Sequence, residues 1–165
     1  MRFLKLAFIS LIFFIIFLSG LSLFFPSHVR VSKAVEIQAS KTEVFDQIAN
    51  VENWKHWFPG ALTAKVIFKN GKAIGVGAEN HQQMELQQIT DSSITALTKN
   101  TGFKDGESGW NFIGNTEQNQ ITVQWYMDFH LHWYPWEKFS SLLLEKRYGP
   151  LLENGLSNLK KYCEK

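Results

Sequence analysis

The sequence predicts an α+β domain in which a curved antiparallel sheet of about seven strands wraps a long C-terminal helix, preceded by one N-terminal transmembrane helix. Three observations lead there. Residues 6–25 form an uncharged apolar run of membrane-spanning length. From residue 62 to residue 133, short alternating runs separated by turn signals replace any helical period. After Pro135 the apolar residues return at spacings of three and four, up to the C-terminus.

The first run reads LAFISLIFFIIFLSGLSLFF, and only Ser10, Ser19, Gly20 and Ser22 interrupt its apolar character. As a helix, such a segment covers about 30 Å, the thickness of a bilayer core. Arg2 and Lys5 precede it and Pro26 ends it. A cleaved signal peptide is the competing reading, with Gly20-Leu21-Ser22 as its small-x-small cleavage site. Leu23, Phe24 and Phe25 carry the run past that site, which favours an uncleaved anchor. The chain therefore divides into a membrane segment, residues 1–26, and a folded domain, residues 27–165. The basic flanks, Arg2 and Lys5 against Arg30 and Lys33, nearly balance. The short basic tail favours an N-inside orientation, hence a single-pass protein with its domain on the extracytoplasmic side.

The remaining ~140 residues suit one ordinary domain with a real core. An aromatic share of 15%, with 14 Phe and 6 Trp, points to a bulky core or an apolar binding site. A net charge of +2 without a basic block excludes a nucleic-acid partner. The single cysteine, Cys163, excludes an intramolecular disulfide and a CxxC metal or redox site, and its third-from-last position does not match a prenylation signal.

Residues 29–38 are rich in β-branched side chains, with Val29, Val31, Val35 and Ile37 in alternation, and predict the first strand. Ser40 with Glu43 three residues later forms a capping box for a short helix through Val44, Phe45 and Ile48 that closes at Asn50. A second short helical stripe, Val51, Trp54, Trp57 and Phe58, stops at Pro59-Gly60. Strands are predicted at 62–69, 73–80, 83–90, 94–99, 107–113 and 120–133, with Asn70-Gly71 as a strong hairpin turn. The last is the clearest. Ile121, Val123, Trp125, Met127, Phe129, Leu131 and Trp133 alternate with Thr122, Gln124, Tyr126, Asp128, His130 and His132, which predicts one apolar and one wet face. The final helix carries Trp136, Phe139, Leu143, Leu144, Arg147, Tyr148, Leu151, Leu152, Gly155, Leu156, Leu159 and Tyr162 on its periodic side. Gly149-Pro150 is expected to kink or divide it. A sheet with one apolar face must be covered, and only this helix is long enough to do so; the result is a helix-grip arrangement.

The segment VEIQASKTEVFDQIANVENWKHWFPG resembles the opening of START-related polyketide cyclase/dehydrase and lipid-transport proteins, the SRPBCC superfamily. The likeness rests on Ala39, Val44, Phe45, Trp54, Trp57 and Pro59, and at the other end on Gly149-Pro150, Gly155-Leu156 and Leu159-Lys160. It runs from Val29 to the C-terminus. These are packing residues, so the resemblance speaks to fold more than to chemistry. It implies a cavity between sheet and helix.

The residues expected to line that cavity are Met84, Leu86, Trp110, Phe112, Trp125, Met127 and Phe129 from the sheet and Leu144, Tyr148 and Leu152 from the helix. Met adapts its shape and Trp offers area with one polar handle. Gln82, Gln88, Ser108 and Arg147 are the candidate polar anchors. His130-x-His132 shares a strand face with Asp128, a spacing that a zinc ion could use, but that face is read as solvated surface. His28, His56 and His81 stand alone in sequence. No nucleophile motif or glycine-rich phosphate loop is present, no cofactor is implied, and Glu79 and Glu85 do not form a convincing acid/base pair. The reading is a membrane-anchored binding or carrier protein for a lipid-like or other hydrophobic small molecule. A cyclase/dehydratase-type enzyme using the same cavity, or a co-chaperone-like interaction module with a filled interior, are the alternatives.

Overall fold

The computed structural model describes residues 2–61, 63–77, 83–99, 104–114 and 119–165. Helix α1, Arg2–Ser22, contains a 20-residue span long and apolar enough to cross a membrane. Its side chains from 3 to 17 are exposed; Leu18 and Ser19 are half-buried and Ser22 is buried, where α1 meets the C-terminal helix.

Strand β1, His28–Ile37, begins two residues after Pro26. Helix α2, Lys41–Ala49, has the expected capping box: the Glu43 amide donates to Ser40 Oγ, and the Ser40 amide donates to Glu43 Oε2. A 3-10 helix, Val51–His56, follows. Its indoles tie back to α2, Trp54 Nε1 donating to the Ile48 carbonyl at 2.8 Å and Trp57 Nε1 to that of Gln47 at 3.1 Å. Then come β2 (Lys65–Lys69), β3 (Lys72–Gly77), β4 (Gln83–Ile89), β5 (Ser93–Lys99), β6 (Gly106–Ile113) and β7 (Ile121–His130). Leu62 and residues 78–80, where two strands were expected to start and end, lie outside the described residues. Asn70 and Gly71 both have positive φ, 52° and 78°, as a tight β2–β3 hairpin of this type requires.

The seven strands make one antiparallel sheet in the order β1-β7-β6-β5-β4-β3-β2. Helix α3, Pro135–Cys163, covers its inner face. This is the helix-grip arrangement. β7 ends three residues short of the predicted strand. The His132 amide leaves the ladder and donates to Glu137 Oε2 at 2.7 Å, so Trp133 falls in a turn and is exposed. α3 runs unbroken through Gly149-Pro150 rather than dividing there. Trp136 and Leu143, placed on its packing side by spacing alone, face away from the sheet and are exposed. Lys33 on β1 bridges Glu145 and Glu153 at 2.8 and 2.9 Å, clamping the middle of α3 to the sheet edge.

Trp125, fully buried, stacks on Trp110 with centroids 5.4 Å apart and meets Trp57 and Phe58 at 6.1 and 5.4 Å. Its indole Nε1 donates to Ser108 Oγ at 3.0 Å, and Ser108 donates to the Tyr126 carbonyl. α3 can lie against this cluster because residue 155 is glycine. A Cβ there would sit 2.5 Å from Trp125 Cζ3 and 2.9 Å from Pro59 Cδ. Gly155→Ala should therefore cost about 1–3 kcal/mol through overpacking, although Ala is the better helix former. Trp125→Ala should cost about 3–5 kcal/mol. Urea denaturation of both variants against the wild type checks the pair; a stabilised Gly155→Ala would show that α3 does not press on Trp125.

Candidate functional site: a cavity between the sheet and the C-terminal helix

Pairing register sets what faces α3. Met84 is opposite Thr98, Leu86 opposite Ala96, Ile94 opposite Trp110, Ser108 opposite Met127, and Trp110 opposite Trp125. These inward residues divide into two zones. Toward the far end of β7 the side chains are large: Trp110, Phe112 and Trp125, joined by Trp54 and Trp57. That zone is solid. Toward the end where β7 finishes and β1 starts, the inward positions carry smaller or unbranched side chains, Val76, Met84, Thr98 and Met127. There a cavity of about 240 Å³ remains, partly open to the surface. Its walls are completed by Phe58, Pro59, Gly60, Thr63, Ala64 and Gln83 on one side and by Tyr148 and Leu151 of α3 on the other.

Of the ten residues expected to line a cavity, the structure brings Met84, Met127 and Tyr148 to this one. Trp110, Phe112, Trp125, Phe129, Leu144 and Leu152 are buried in the surrounding core, and Leu86 is half-buried against it. Phe129 reaches the cavity wall indirectly, its ring 4.5 Å from that of Tyr148. Three of the four expected polar anchors are placed elsewhere. Ser108 is buried, but its hydroxyl is engaged with Trp125 and Tyr126. Gln88 is exposed because a bulge between Leu86 and Gln88 shifts it opposite Thr95 and turns it outward. Arg147 is exposed, its guanidinium 5.5 Å from the Tyr148 ring. Gln82 lies outside the described residues, as do Glu79 and His81.

Sequence reasoning passed over three polar wall residues, Thr63, Gln83 and Thr98, of which Thr98 is the most buried. Thr98 lines the cavity and is 7% exposed, and its buried hydroxyl has no hydrogen-bond partner among the described residues. Buried hydroxyls are ordinarily paired. The parity of β5, with Ile94, Ala96 and Thr98 on one face, was available to find it. The loop 58–64 offered no such period. Among the described lining residues, Tyr148 is the only one with a titratable side chain.

The outer face of β7 is less wet than alternation implied. Asp128 is buried beneath Arg30 and His28 of β1: Arg30 Nε and Nη2 donate to its two oxygens at 2.7 and 2.5 Å, and His28 Nε2 lies 3.2 Å away. Tyr126 is buried too, under the Arg30 guanidinium at 4.3 Å, with its hydroxyl donating to Glu107 at 2.7 Å. His130 stacks on His28, and His132 pairs with Glu137. Asp128 and His130 of the zinc spacing both meet His28, His132 turns away to Glu137, and among the described residues no three potential metal ligands converge. Cys163 is half-buried at the end of α3, where burial, with Glu43 and Glu164 nearby, pushes its thiol up to about 11.

The model of the polyketide cyclase / dehydrase and lipid transport family matches residues 28–164. The chain belongs to this family. No curated protein matches the sequence significantly. Among solved structures, a START superfamily protein from Mycobacterium smegmatis is 17% identical, with a TM-score of 0.60 over 82% of this chain and 97% of that one. The Zhui aromatase/cyclase from Streptomyces sp. R1128 is 13% identical, with a TM-score of 0.60 over 83% and 94%. A protein from Thermobifida fusca is 14% identical, with a TM-score of 0.64 over 81% and 91%. At these identities the likeness shows the fold. The family match begins at His28, the first residue of β1, so the apolar helix α1 lies outside it.

Within this family domain, the Asp128 cluster sets a pH dependence. Burial works against the Asp128 charge, but hydrogen bonds and charge from Arg30, with His28 beside it, outweigh burial and hold the carboxyl below its ordinary range. A depressed carboxyl stabilises the fold above its unfolded pKa of about 4, and that contribution is lost as pH falls through the folded value. The wild type should therefore lose melting temperature steeply below pH 4, and Asp128→Asn should lower it at pH 7 and flatten the acid limb. Parallel acid limbs for the two proteins would remove Asp128 as the cause.

Proposed function

We propose that this protein binds a small hydrophobic molecule bearing a single polar group, in the cavity beneath α3, while α1 anchors the domain to a membrane. The observation that carries the reading is a mostly apolar cavity whose wall includes Thr98, a residue with a buried hydroxyl that has no partner among the described residues. Ligand sites of this kind combine apolar walls with a few placed polar groups. The family description includes lipid transport, and the fold is shared with a START superfamily protein, which agrees with such a cargo.

Size narrows the ligand. A cavity of about 150 Å³ holds benzene, so one of about 240 Å³ takes roughly ten heavy atoms: a fused ring pair or a short chain. A longer chain leaves its remainder at the cavity's opening to the surface. The shortage of titratable groups among the described wall residues favours binding over acid–base catalysis, which needs a positioned proton donor or acceptor. For α1, the apolar continuation through Leu23, Phe24 and Phe25 supports an anchor over a cleaved signal, and the basic N-terminal tail supports an extracytoplasmic domain.

Thr98→Val tests the site because its two effects have opposite signs. Removing an unpaired buried hydroxyl at constant shape should raise apo stability by up to about 1 kcal/mol. Removing a ligand hydrogen bond should weaken binding about two- to tenfold. Calorimetric titration with 1-naphthol and with 1-methylnaphthalene, which has the same shape without the hydroxyl, separates these. The wild type should prefer 1-naphthol, and Thr98→Val should bind the two alike. Equal binding of both by the wild type, or binding of neither, would count against the proposed site.

A further inference from the structure

We propose that the first two turns of α3, with the aromatic turn before them, rest on the surface of the bilayer that α1 enters. The proposal builds on the reading of α1 as a membrane anchor and adds a docking face on the folded domain itself.

The start of α3 is apolar on two sides. One side packs on the sheet through Leu144 and Tyr148. On the other, Trp136, Leu142 and Leu143 are 69%, 65% and 62% exposed. Together with Phe139 they stand at spacings of three, six and seven, which at 3.6 residues per turn gathers them into about a third of the helix circumference. Just before them, Trp133 is 73% exposed, and Tyr134 stacks on Trp136 at 4.9 Å with rings 3° from parallel. Scattered surface apolar residues need no explanation, but a contiguous patch marks an interaction site.

What covers this patch follows from where the chain leaves α1. The Phe25 ring meets Phe139, in the middle of the apolar arc, edge-on at 5.0 Å. Lys138 Nζ donates to the Phe25 carbonyl at 3.0 Å and to Ser27 Oγ at 2.5 Å. These contacts hold the end of the anchor against the first turn of α3, and Leu23 and Phe24 add further exposed apolar surface at that point. A surface fixed there lies at the level where the bilayer ends. Its composition suits that level: Trp and Tyr favour the membrane–water interface, with an apolar body and a polar edge. Lys146 and Arg147, both exposed, continue the same side of α3 by one further turn, where basic groups meet lipid headgroups. A second copy of the chain would satisfy the apolar residues, but it would not account for their position around the anchor exit.

The tryptophans make the test direct. Trp54, Trp57, Trp110 and Trp125 are buried, so only Trp133 and Trp136 can touch lipid. Full-length protein is reconstituted in phosphatidylcholine/phosphatidylglycerol nanodiscs, with and without acyl chains brominated near the headgroup. The expected result is bromine quenching of wild-type fluorescence, limited to the share of two tryptophans in six, and shielding of the same two from aqueous acrylamide. Trp133→Phe with Trp136→Phe should abolish the bromine effect while leaving the melting temperature within a few degrees; the wild-type comparison stands alone if that variant is not obtained folded. Protein held in the nanodisc but unquenched by bromine and open to acrylamide would overturn the docking face and leave the anchor intact. Unquenched fluorescence shielded from acrylamide, with a dimer mass, would overturn it in favour of a second copy. Failure to enter nanodiscs, or a mature chain lacking α1, would overturn the anchor reading and this one with it.

Discussion

How near α3 comes to Trp125 decides the shape of everything on the inner side of the sheet. The absence of a side chain at Gly155 lets the helix approach until it touches both the indole and Pro59. That contact seals the far end of the interior with tryptophans from the 3-10 helix, β6 and β7. The opposite end then stays open for a simple reason of volume. The inward residues of β3, β4 and β5 at that level, Val76, Met84 and Thr98, do not reach the helix as the tryptophans do. One helix–sheet spacing, set by a glycine, thus gives a solid core at one end and a cavity at the other.

α3 has a second duty at its start. Lys138 is almost fully buried, yet it is not wasted on the core: its ammonium is spent on a backbone carbonyl and a hydroxyl of the linker that follows α1. A buried amine without such partners would be costly. Glu137, one residue earlier, takes the His132 amide and ring and so ends β7. Two adjacent charged residues therefore place the end of α1, the last strand and the covering helix relative to one another.

Much of the fold was legible because it rests on period and on local chemistry. The alternation in β7, the capping box at Ser40 and the Asn70-Gly71 turn each follow from a short stretch of chain. The errors came where a distant partner overrides period. Asp128 and Tyr126 fall on the face that alternation called wet, but β1 register lays Arg30 over both. Gln88 was in phase with Met84 until an extra residue in β4 reversed it. Trp136 and Leu143 fit a helical spacing, yet spacing cannot say which of two apolar sides meets the sheet. The cavity was harder still. It is a volume left over among residues from six separate segments, and no single segment carries its signature. Met84, Met127 and Tyr148 were found because each stands in a strong periodic run, whereas Phe58, Ala64 and Gly60 stand in none.

Under the proposed function, the location of the cavity ties its use to α1. Following the register outward from β7, Met127 lies near the strand end at His130, and His130 pairs with His28, where the chain emerges from the linker. Met84, Thr98 and Val76 lie toward that same end of their strands, opposite one another across β3, β4 and β5. The vacant half of the interior is therefore the half nearest α1, and the tryptophan-filled half is the one farther away. For a ligand of about ten heavy atoms with one polar group, the cost of leaving a bilayer is mostly the exposure of apolar area to water. With α1 in a bilayer, as proposed, a cavity at the α1 end of the domain shortens the path over which that area is exposed. On this reading the filled end and the empty end are not interchangeable: with the tryptophans at the near end, the cavity would lie where the ligand must cross water to reach it.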